Sequence, residues 1–495
     1  MLSSLLAAET MYVLYSLALA VLFVVLLPYF IYQAIKHGKY KGSFKQRMGR
    51  LPQSLASDER ETVWVHAVSV GEFQAARPLI ERLRRLMPET RVVVSTITLT
   101  GQRLAHSHCP SLVDGVFYFP FDFRFAARRS LMHVKPSIVV IMETELWPNF
   151  LRECQQLGAV TVVANGRISE RSFSRYRRVG PFIRRVLRDV SLLVMQSEAD
   201  ADRARSLGAL SISVRVCGNL KYDAGDVGLR TEDGGLRTED SEEGRRDSTK
   251  HQSLASIGHP RSSILHPQTT DPHQELDDQF ALALSPYLIV AGSTAPGEER
   301  ILLDALREVR GQSGLEAARL VIAPRHPERF EEVAELIARS GFAFARRSRT
   351  VDASSRHGDN PRTADVVLLD SIGELQSVYA FASVVFVGGS LVSRGGHNVI
   401  EPAAFARPII VGPYTENFEQ IVDDFLQADA IVKLDSAGEA SVFSLARELG
   451  RLLSDRKASA GLGERARNLL ASRRGAVECT VAAIKEVFTP RSLSE

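Results

Sequence analysis

The sequence predicts an α/β protein with two Rossmann-like domains in tandem behind an N-terminal transmembrane helix. Three observations predict it. Apolar, β-branched runs recur from Val63 to Lys433 with helical patterns between them. They are continuous rather than alternating, which is how the strands of a parallel sheet covered on both faces read. A polar stretch from Asp226 to about Gln279 divides these runs into two groups. Ahead of both, Met11 to Ile35 is almost wholly apolar and carries no charge.

In chain order, residues 1–35 are the anchor. The apolar run is long enough to cross a bilayer, and Pro28 marks a kink or the end of its straight part. Lys36, Lys39, Lys41, Lys45, Arg47 and Arg50 follow with no acidic residue among them. The positive-inside rule then places the rest of the chain in the cytoplasm, behind a single-pass membrane anchor. No basic segment precedes the run and no small-x-small site follows it, which argues against a cleaved signal peptide. The basic run also suits anionic lipid headgroups.

Residues 36–225 form the first domain, with strands expected at Val63–Val68, Val92–Ile97, Val116–Phe119, Ile138–Met142, Val160–Val163, Leu192–Met195 and Val214–Val216. Residues 226–280 read as a disordered polar insertion with a tandem Gly-Leu-Arg-Thr-Glu-Asp repeat, too poor in apolar residues to order itself. The second domain, 281–454, has strands expected at Leu288–Ala291, Leu320–Ala323, Val366–Leu369, Val384–Val387, Ile409–Val411 and Ile431–Lys433. Residues 455–495 form a separate helical, Arg-rich segment. Two such domains leave a cleft faced by the carboxyl ends of both sheets, an arrangement suited to a transferase with a nucleotide-activated donor.

At 495 residues the chain is too long for one core. A net charge of +3 makes no case for nucleic acid, and nothing in the pattern specifies an oligomeric state. The four cysteines, Cys109, Cys154, Cys217 and Cys479, lack metal-ligand spacing and the density of a disulfide scaffold, so a reducing compartment is expected. The scattered histidines offer no metal cage, and no essential metal or cofactor is expected.

The candidate chemistry lies where strands end. His66-Ala-Val-Ser-Val-Gly-Glu72 leaves the first strand, and a helix is expected from about Phe73. A carboxylate at Glu72 is placed either to take a proton from an acceptor hydroxyl or merely to complement the helix dipole. Met142-Glu-Thr-Glu-Leu-Trp-Pro-Asn149 follows the fourth strand. Glu143, nearer the strand, is the functional candidate, and Glu145 reads as a helix N-terminal acid. Gly218-Asn-Leu-Lys-Tyr-Asp223 carries Lys221, either a cation for a leaving phosphate or a solvated lysine. Arg171, Arg175, Arg177 and Arg178 form a basic patch or a solvated helix face.

In the second domain, Pro324, Arg325 and His326 follow a strand, and the Arg325 guanidinium suits phosphate or carboxylate. Asp370-Ser-Ile-Gly-Glu374 brings Ile372, Gly373 and Glu374, whose carboxylate suits a ribose diol or a helix N-terminus. Gly388-Gly-Ser-Leu-Val-Ser-Arg-Gly-Gly-His-Asn-Val-Ile-Glu401 has two glycine pairs that allow sharp turns and close approach to a ligand. The following helix start offers N–H groups to an anion. Asn398 and Glu401 have capping-box spacing. The absence of a Walker lysine motif argues against a P-loop.

In order, these six motifs behind an anchor resemble the 3-deoxy-D-manno-octulosonic acid (Kdo) transferases of Gram-negative bacteria, from about Tyr12 to Val487. The resemblance implies a GT-B glycosyltransferase fold and metal-independent, inverting transfer of Kdo. The donor would be CMP-Kdo and the acceptor the lipid A precursor, lipid IVA, at the inner membrane. It implies Glu72 as general base and Glu143 and Lys221 as transition-state groups. It implies CMP contacts from Pro324 and Arg325, from Ile372 to Glu374, and from Asn398, Val399, Ile400 and Glu401. A UDP-sugar transferase and a non-catalytic nucleotide-sugar binder are the competing readings.

Overall fold

The computed structural model describes residues 2–37, 42–223, 272–348 and 361–488. Most of the polar insertion, including its tandem repeat, lies outside them, as do Lys39 and Lys41. The chain forms two compact units, residues 1–227 with 471–495 and residues 228–470.

The first unit is a seven-stranded sheet: β1 (Thr62–His66), β2 (Arg91–Thr96), β3 (Gly115–Tyr118), β4 (Ile138–Met142), β5 (Val160–Gly166), β6 (Leu192–Met195) and β7 (Val214–Val216). All its pairings are parallel, in the order β3-β2-β1-β4-β5-β6-β7. β1 and β4 are neighbours, with Val65 opposite Val140, and the strand order reverses between them. Such a switch point is where ligands sit in open α/β sheets. The core strands are buried on both faces, which is why they read as unbroken apolar runs. Trp64, fully buried, packs edge-on against Phe117 and Phe150 and donates its indole N–H to Ser95 Oγ at 2.7 Å.

The second unit repeats this plan with β8 (Leu288–Thr294), β9 (Arg319–Pro324), β10 (Phe344–Arg346), β11 (Val366–Leu368), β12 (Val384–Val387), β13 (Ile409–Val411) and β14 (Val432–Lys433). The order is β10-β11-β9-β8-β12-β13-β14, again parallel, with the reversal between β8 and β12. β10 is the one strand not expected from the sequence. It is a three-residue edge strand of partly exposed residues, ending in an arginine, so no apolar run marks it.

Three expectations need correction. The insertion does not run to residue 280: Pro272–Phe280 is a helix that buries Leu276 and Phe280. Its apolar residues are spaced too widely among acids to signal a helix. The C-terminal 455–495 segment does not stand apart either, but is divided between the two units. Helix Arg456–Arg473 belongs mostly to the second unit, where a Cβ at Gly463 would lie 1.9 Å from the carbonyl oxygen of Ala406. Helix Ala476–Val487 returns to the first unit and packs Val477, Val481 and Ile484 into the core with Phe73 and Leu79. Finally, Cys217 and Cys479, 262 residues apart, form a disulfide with a Cα–Cα distance of 5.4 Å. Scattered spacing concealed it because the return of the last helix, not local sequence, brings the two together. The same junction is held without sulfur: the Asp223 carboxylate accepts the N–H groups of Gly475 at 2.9 Å and Val477 at 2.6 Å.

The N-terminal helix runs Leu2–His37, with Pro28 inside it, and Glu9–Pro28 is apolar and long enough to cross a membrane. It is a candidate membrane anchor.

Candidate active site

At the carboxyl end of β1, Ser69 caps helix Val70–Leu86, which starts three residues earlier than the apolar pattern suggested. Ser69 Oγ accepts the Glu72 N–H at 3.4 Å, while Glu72 reaches back so that Oε2 accepts the Val68 N–H at 2.8 Å and Oε1 accepts the Ser69 hydroxyl at 3.3 Å. This is a capping box shifted by one residue. Glu72 therefore does complement its helix, yet it does more. Burial raises its pKa to about 7, the Val68 N–H partly offsets this, and the charges of Glu143 and Glu145 raise it further. A carboxylate with that pKa suits proton abstraction near neutral pH.

Glu143 leaves β4 in the left-handed region, φ 56°, with its N–H on the Ala164 carbonyl at 2.8 Å. Its carboxylate pairs with Lys221 Nζ at 3.2 Å. Lys221 sits on the short turn Leu220–Tyr222, whose approach is set from β5 and by its own cap. Asn165 Oδ1 accepts the Leu220 N–H at 2.9 Å, and Asn219 Oδ1 accepts the Lys221 N–H at 3.0 Å. The structure thus brings together Glu72, Glu143 and Lys221 from three separate motifs. Asn165, fully buried and also at positive φ, is the positioning residue missed in the sequence. An asparagine ending a strand beside a glycine was its only signal.

Glu145 is not a helix acid. It lies in the loop before helix Pro148–Gln156, close enough to Glu72 to raise its pKa. Burial and then the charge of Glu143 raise its own. His66 is no proton carrier, because burial pushes its pKa down to about 3, with Nδ1 on Ser95 and the ring stacked on Phe119. Helix Glu170–Arg178, bearing the four arginines, has no buried residue. Asp200 and Asp202, two positions apart, are both used locally: Asp200 accepts the Ile168 N–H and Asp202 pairs with Arg205.

In the second unit the glycine-rich turn after β12 is built differently from expectation. A Cβ at Gly388 would meet the Ser293 carbonyl oxygen at 2.5 Å, and one at Gly389, φ 70°, would meet the His397 ring at 2.9 Å. The turn's N–H groups do await an anion, but the anion is the protein's own. Glu298, fully buried, accepts Gly389 N–H at 2.7 Å, Ser390 N–H at 2.9 Å, Leu391 N–H at 2.8 Å and Ala295 N–H at 2.8 Å. Next to it, Glu299 accepts the Thr294 hydroxyl at 2.8 Å and a two-pronged bond from buried Arg329 at 2.7 and 3.1 Å. The first turn of helix Glu298–Arg310 therefore clamps both the glycine turn and the Pro324–Arg329 loop. Neither acid was singled out in the sequence.

Around that clamp, Arg325 is exposed and its charge reaches three groups: His397, Glu401 and Tyr379. Burial, then Arg325 and His326, push the pKa of His397 down to about 4. Burial raises that of Glu401 against the pull of Asn398 and Arg325. Asn398 and Glu401 form a partial cap only. Asn398 Oδ1 accepts the Ile400 N–H at 3.0 Å, while Glu401 takes the Asn398 side-chain amide at 3.0 Å. Val399 and Ile400 bury their side chains in the core, so neither side chain faces a ligand. Ile372 is 81% exposed beside Gly373, φ 93°. Glu374 is already held by Arg347 at 2.8 Å and by the Ser371 hydroxyl; burial works against its charge, and these partners outweigh it and lower its pKa.

Comparisons with known proteins follow the same lines. The family model described as 3-deoxy-D-manno-octulosonic-acid transferase (kdotransferase) matches residues 42–224. A 3-deoxy-D-manno-octulosonic acid transferase of Haemophilus influenzae is 30% identical over 448 residues, 90% of this chain and 91% of that protein. The crystal structure of the C-terminal CMP-Kdo binding domain of WaaA from Acinetobacter baumannii is 30% identical, covering 40% of this chain and 95% of its own, with a TM-score of 0.35. UDP-GlcNAc 2-epimerase from Neisseria meningitidis, bound to UDP-GlcNAc, shares the two-domain fold at 12% identity and a TM-score of 0.54, over 86% of this chain and 100% of its own.

Proposed function

Because this chain belongs to the Kdo transferase family of lipopolysaccharide biosynthesis, we propose that it transfers Kdo from CMP-Kdo to the lipid A precursor, lipid IVA, at the cytoplasmic face of the inner membrane. The single observation that carries the mechanism is Glu72, a half-buried carboxylate with a pKa of about 7 beside the Glu143–Lys221 pair.

Glu72 takes the proton of an acceptor sugar hydroxyl. The freed oxygen attacks the anomeric carbon of Kdo from the face opposite CMP. The bond from that carbon to the phosphate oxygen breaks, CMP leaves with the electron pair, and the configuration inverts. Lys221, oriented by Glu143, meets negative charge as it develops. No step calls for a metal ion, so activity should persist in chelator.

On the donor side, Arg325 meets the CMP phosphate and the chain around Pro324 carries it. The open Ile372–Gly373 surface takes the base, and Glu374, held by Arg347 and Ser371, reaches the ribose diol by exchanging the Ser371 hydroxyl for it. The Asn398–Glu401 segment contributes its polar side chains, since Val399 and Ile400 are committed to the core.

The test is a product assay with the full chain, CMP-Kdo and lipid IVA, read by mass spectrometry, with a UDP-sugar in a parallel arm. A mass gain of one or more Kdo units is expected from CMP-Kdo alone. Transfer from the UDP-sugar, or donor binding without any product, would overturn the reading.

A further inference from the structure

A helix that spans a bilayer and is followed by a cytoplasmic domain must have its N-terminal end on the far side, about 30 Å of hydrocarbon away. Here the N-terminal half of the apolar helix lies along the very domain that follows it. Glu9 pairs with Arg152 at 2.5 Å, and the Tyr12 hydroxyl donates to Asp189. The Tyr15 hydroxyl donates to Asp122 at 2.8 Å, and Ser16 bonds Asn149 at 3.0 Å. The Phe23 ring stands 5.6 Å from Phe121 and 5.3 Å from Phe123. Asp122, Asn149 and Asp189 are all buried, so these are built contacts rather than a loose lean.

What remains is too short to cross. Val24 to His37 is 14 residues by the chain numbering, or about 21 Å of helix. Beyond the helix, Phe44 packs on Phe121, 6.3 Å between ring centres, the ring that Phe23 also touches. Contacts to this one domain thus stand on both sides of the Val24–His37 stretch, at Glu9 to Phe23 before it and at Phe44 after it.

The outward face says what covers it. Val13, Leu14, Leu17, Val21, Val24 and Val25 are 57–67% exposed and share one face by their helical spacing. They form an uncharged aliphatic stripe the length of the contact. The domain adds half-exposed Phe44 and Phe125, aromatic residues of the kind that settle at headgroup level. A lone in-plane helix needs a polar face toward water. On the other face Tyr12, Tyr15, Ser16 and Phe23 meet the domain instead, Tyr12 buried and the rest partly so.

We propose that this helix is an in-plane, monotopic anchor, with its aliphatic stripe in the cytoplasmic leaflet and both of its ends on the cytoplasmic side. The proposal rests on the membrane-anchor reading and refines its topology. The test uses the full chain with an epitope tag at each end, in inner-membrane vesicles of both orientations. Protease should remove both tags in inside-out vesicles and neither in right-side-out ones. A Tyr12→Cys, Asp189→Cys pair should cross-link within the chain in membranes. An N-terminal tag cut only in right-side-out vesicles would overturn the proposal and leave a spanning anchor. Disulfide-linked dimers of a Leu17→Cys variant would overturn it by putting a second copy on the stripe. Recovery of the chain in the soluble fraction would remove the anchor reading itself.

Discussion

Glu72 and Glu298 stand in nearly the same local setting. Each lies in the first turn of the helix that follows the first strand of its sheet, and each accepts backbone N–H groups from the strand-end loop. They differ in how many donors they meet and how much water they keep. Glu298 is fully buried and satisfied by four N–H groups, so its charge is spent on holding the glycine turn. Glu72 has one N–H and one weak hydroxyl contact, is partly open, and sits among other carboxylates. Burial raises the pKa of both, but at Glu298 four N–H groups oppose it, whereas Glu72, the proposed base, keeps lone pairs for a substrate proton. Motif position alone does not separate the two.

Replacing each acid by an isosteric amide should break the parallel. Glu72→Gln should lower kcat by roughly 10²–10⁴-fold, the usual worth of a general base, with the dissociation constant for CMP-Kdo unchanged. Near-normal turnover would remove Glu72 from the base role. Since the folded-state pKa of Glu72 is raised to about 7, its stabilising effect is present at low pH and is lost as pH climbs through 7. The amide should therefore melt no lower than the parent at pH 8.

Glu298→Gln should do the opposite. It sets an amide N–H₂ against backbone N–H groups, costing about 1–3 kcal/mol for each donor left unsatisfied. A lower melting temperature and a raised KM for the donor are expected, with kcat at saturating donor largely kept. An unchanged melting curve and KM would show that the clamp is not needed.

Arg325→Ala tests the exposed cation of the donor side. Loss of a charged hydrogen bond worth roughly 1.5–3 kcal/mol should weaken donor binding by about 10–100-fold, as isothermal titration with CMP would read. An unchanged affinity would place the phosphate elsewhere. The smallest effect is on the pH profile of kcat/KM. Its rising limb should move to lower pH in Glu143→Gln, which removes a neighbouring negative charge, and to higher pH in Lys221→Ala, which leaves that charge unpaired. Shifts in the same direction would break the proposed coupling.

Among the described residues, thirteen of fourteen strands were legible because strands buried on both faces must be apolar throughout, and parallel sheets leave that mark in order along the chain. The strand-end positions of Glu72, Glu143, Lys221 and Arg325 were legible for the same reason: side chains just past an apolar run are delivered to the carboxyl edge. The sequence by itself therefore determined the fold class, the candidate residues and an apolar helix ahead of them. Tertiary structure alone decided which acids pair and which are consumed. Lys221 meets Glu143 across a gap of 78 positions, Cys217 meets Cys479 through the return of the last helix, and Glu298 fills a turn 91 residues away. It also laid the N-terminal helix along its own domain through Tyr12 and Tyr15. The physical reason is shared. Local pattern encodes burial, but partnership between charges depends on distances that exist only after the sheets have formed.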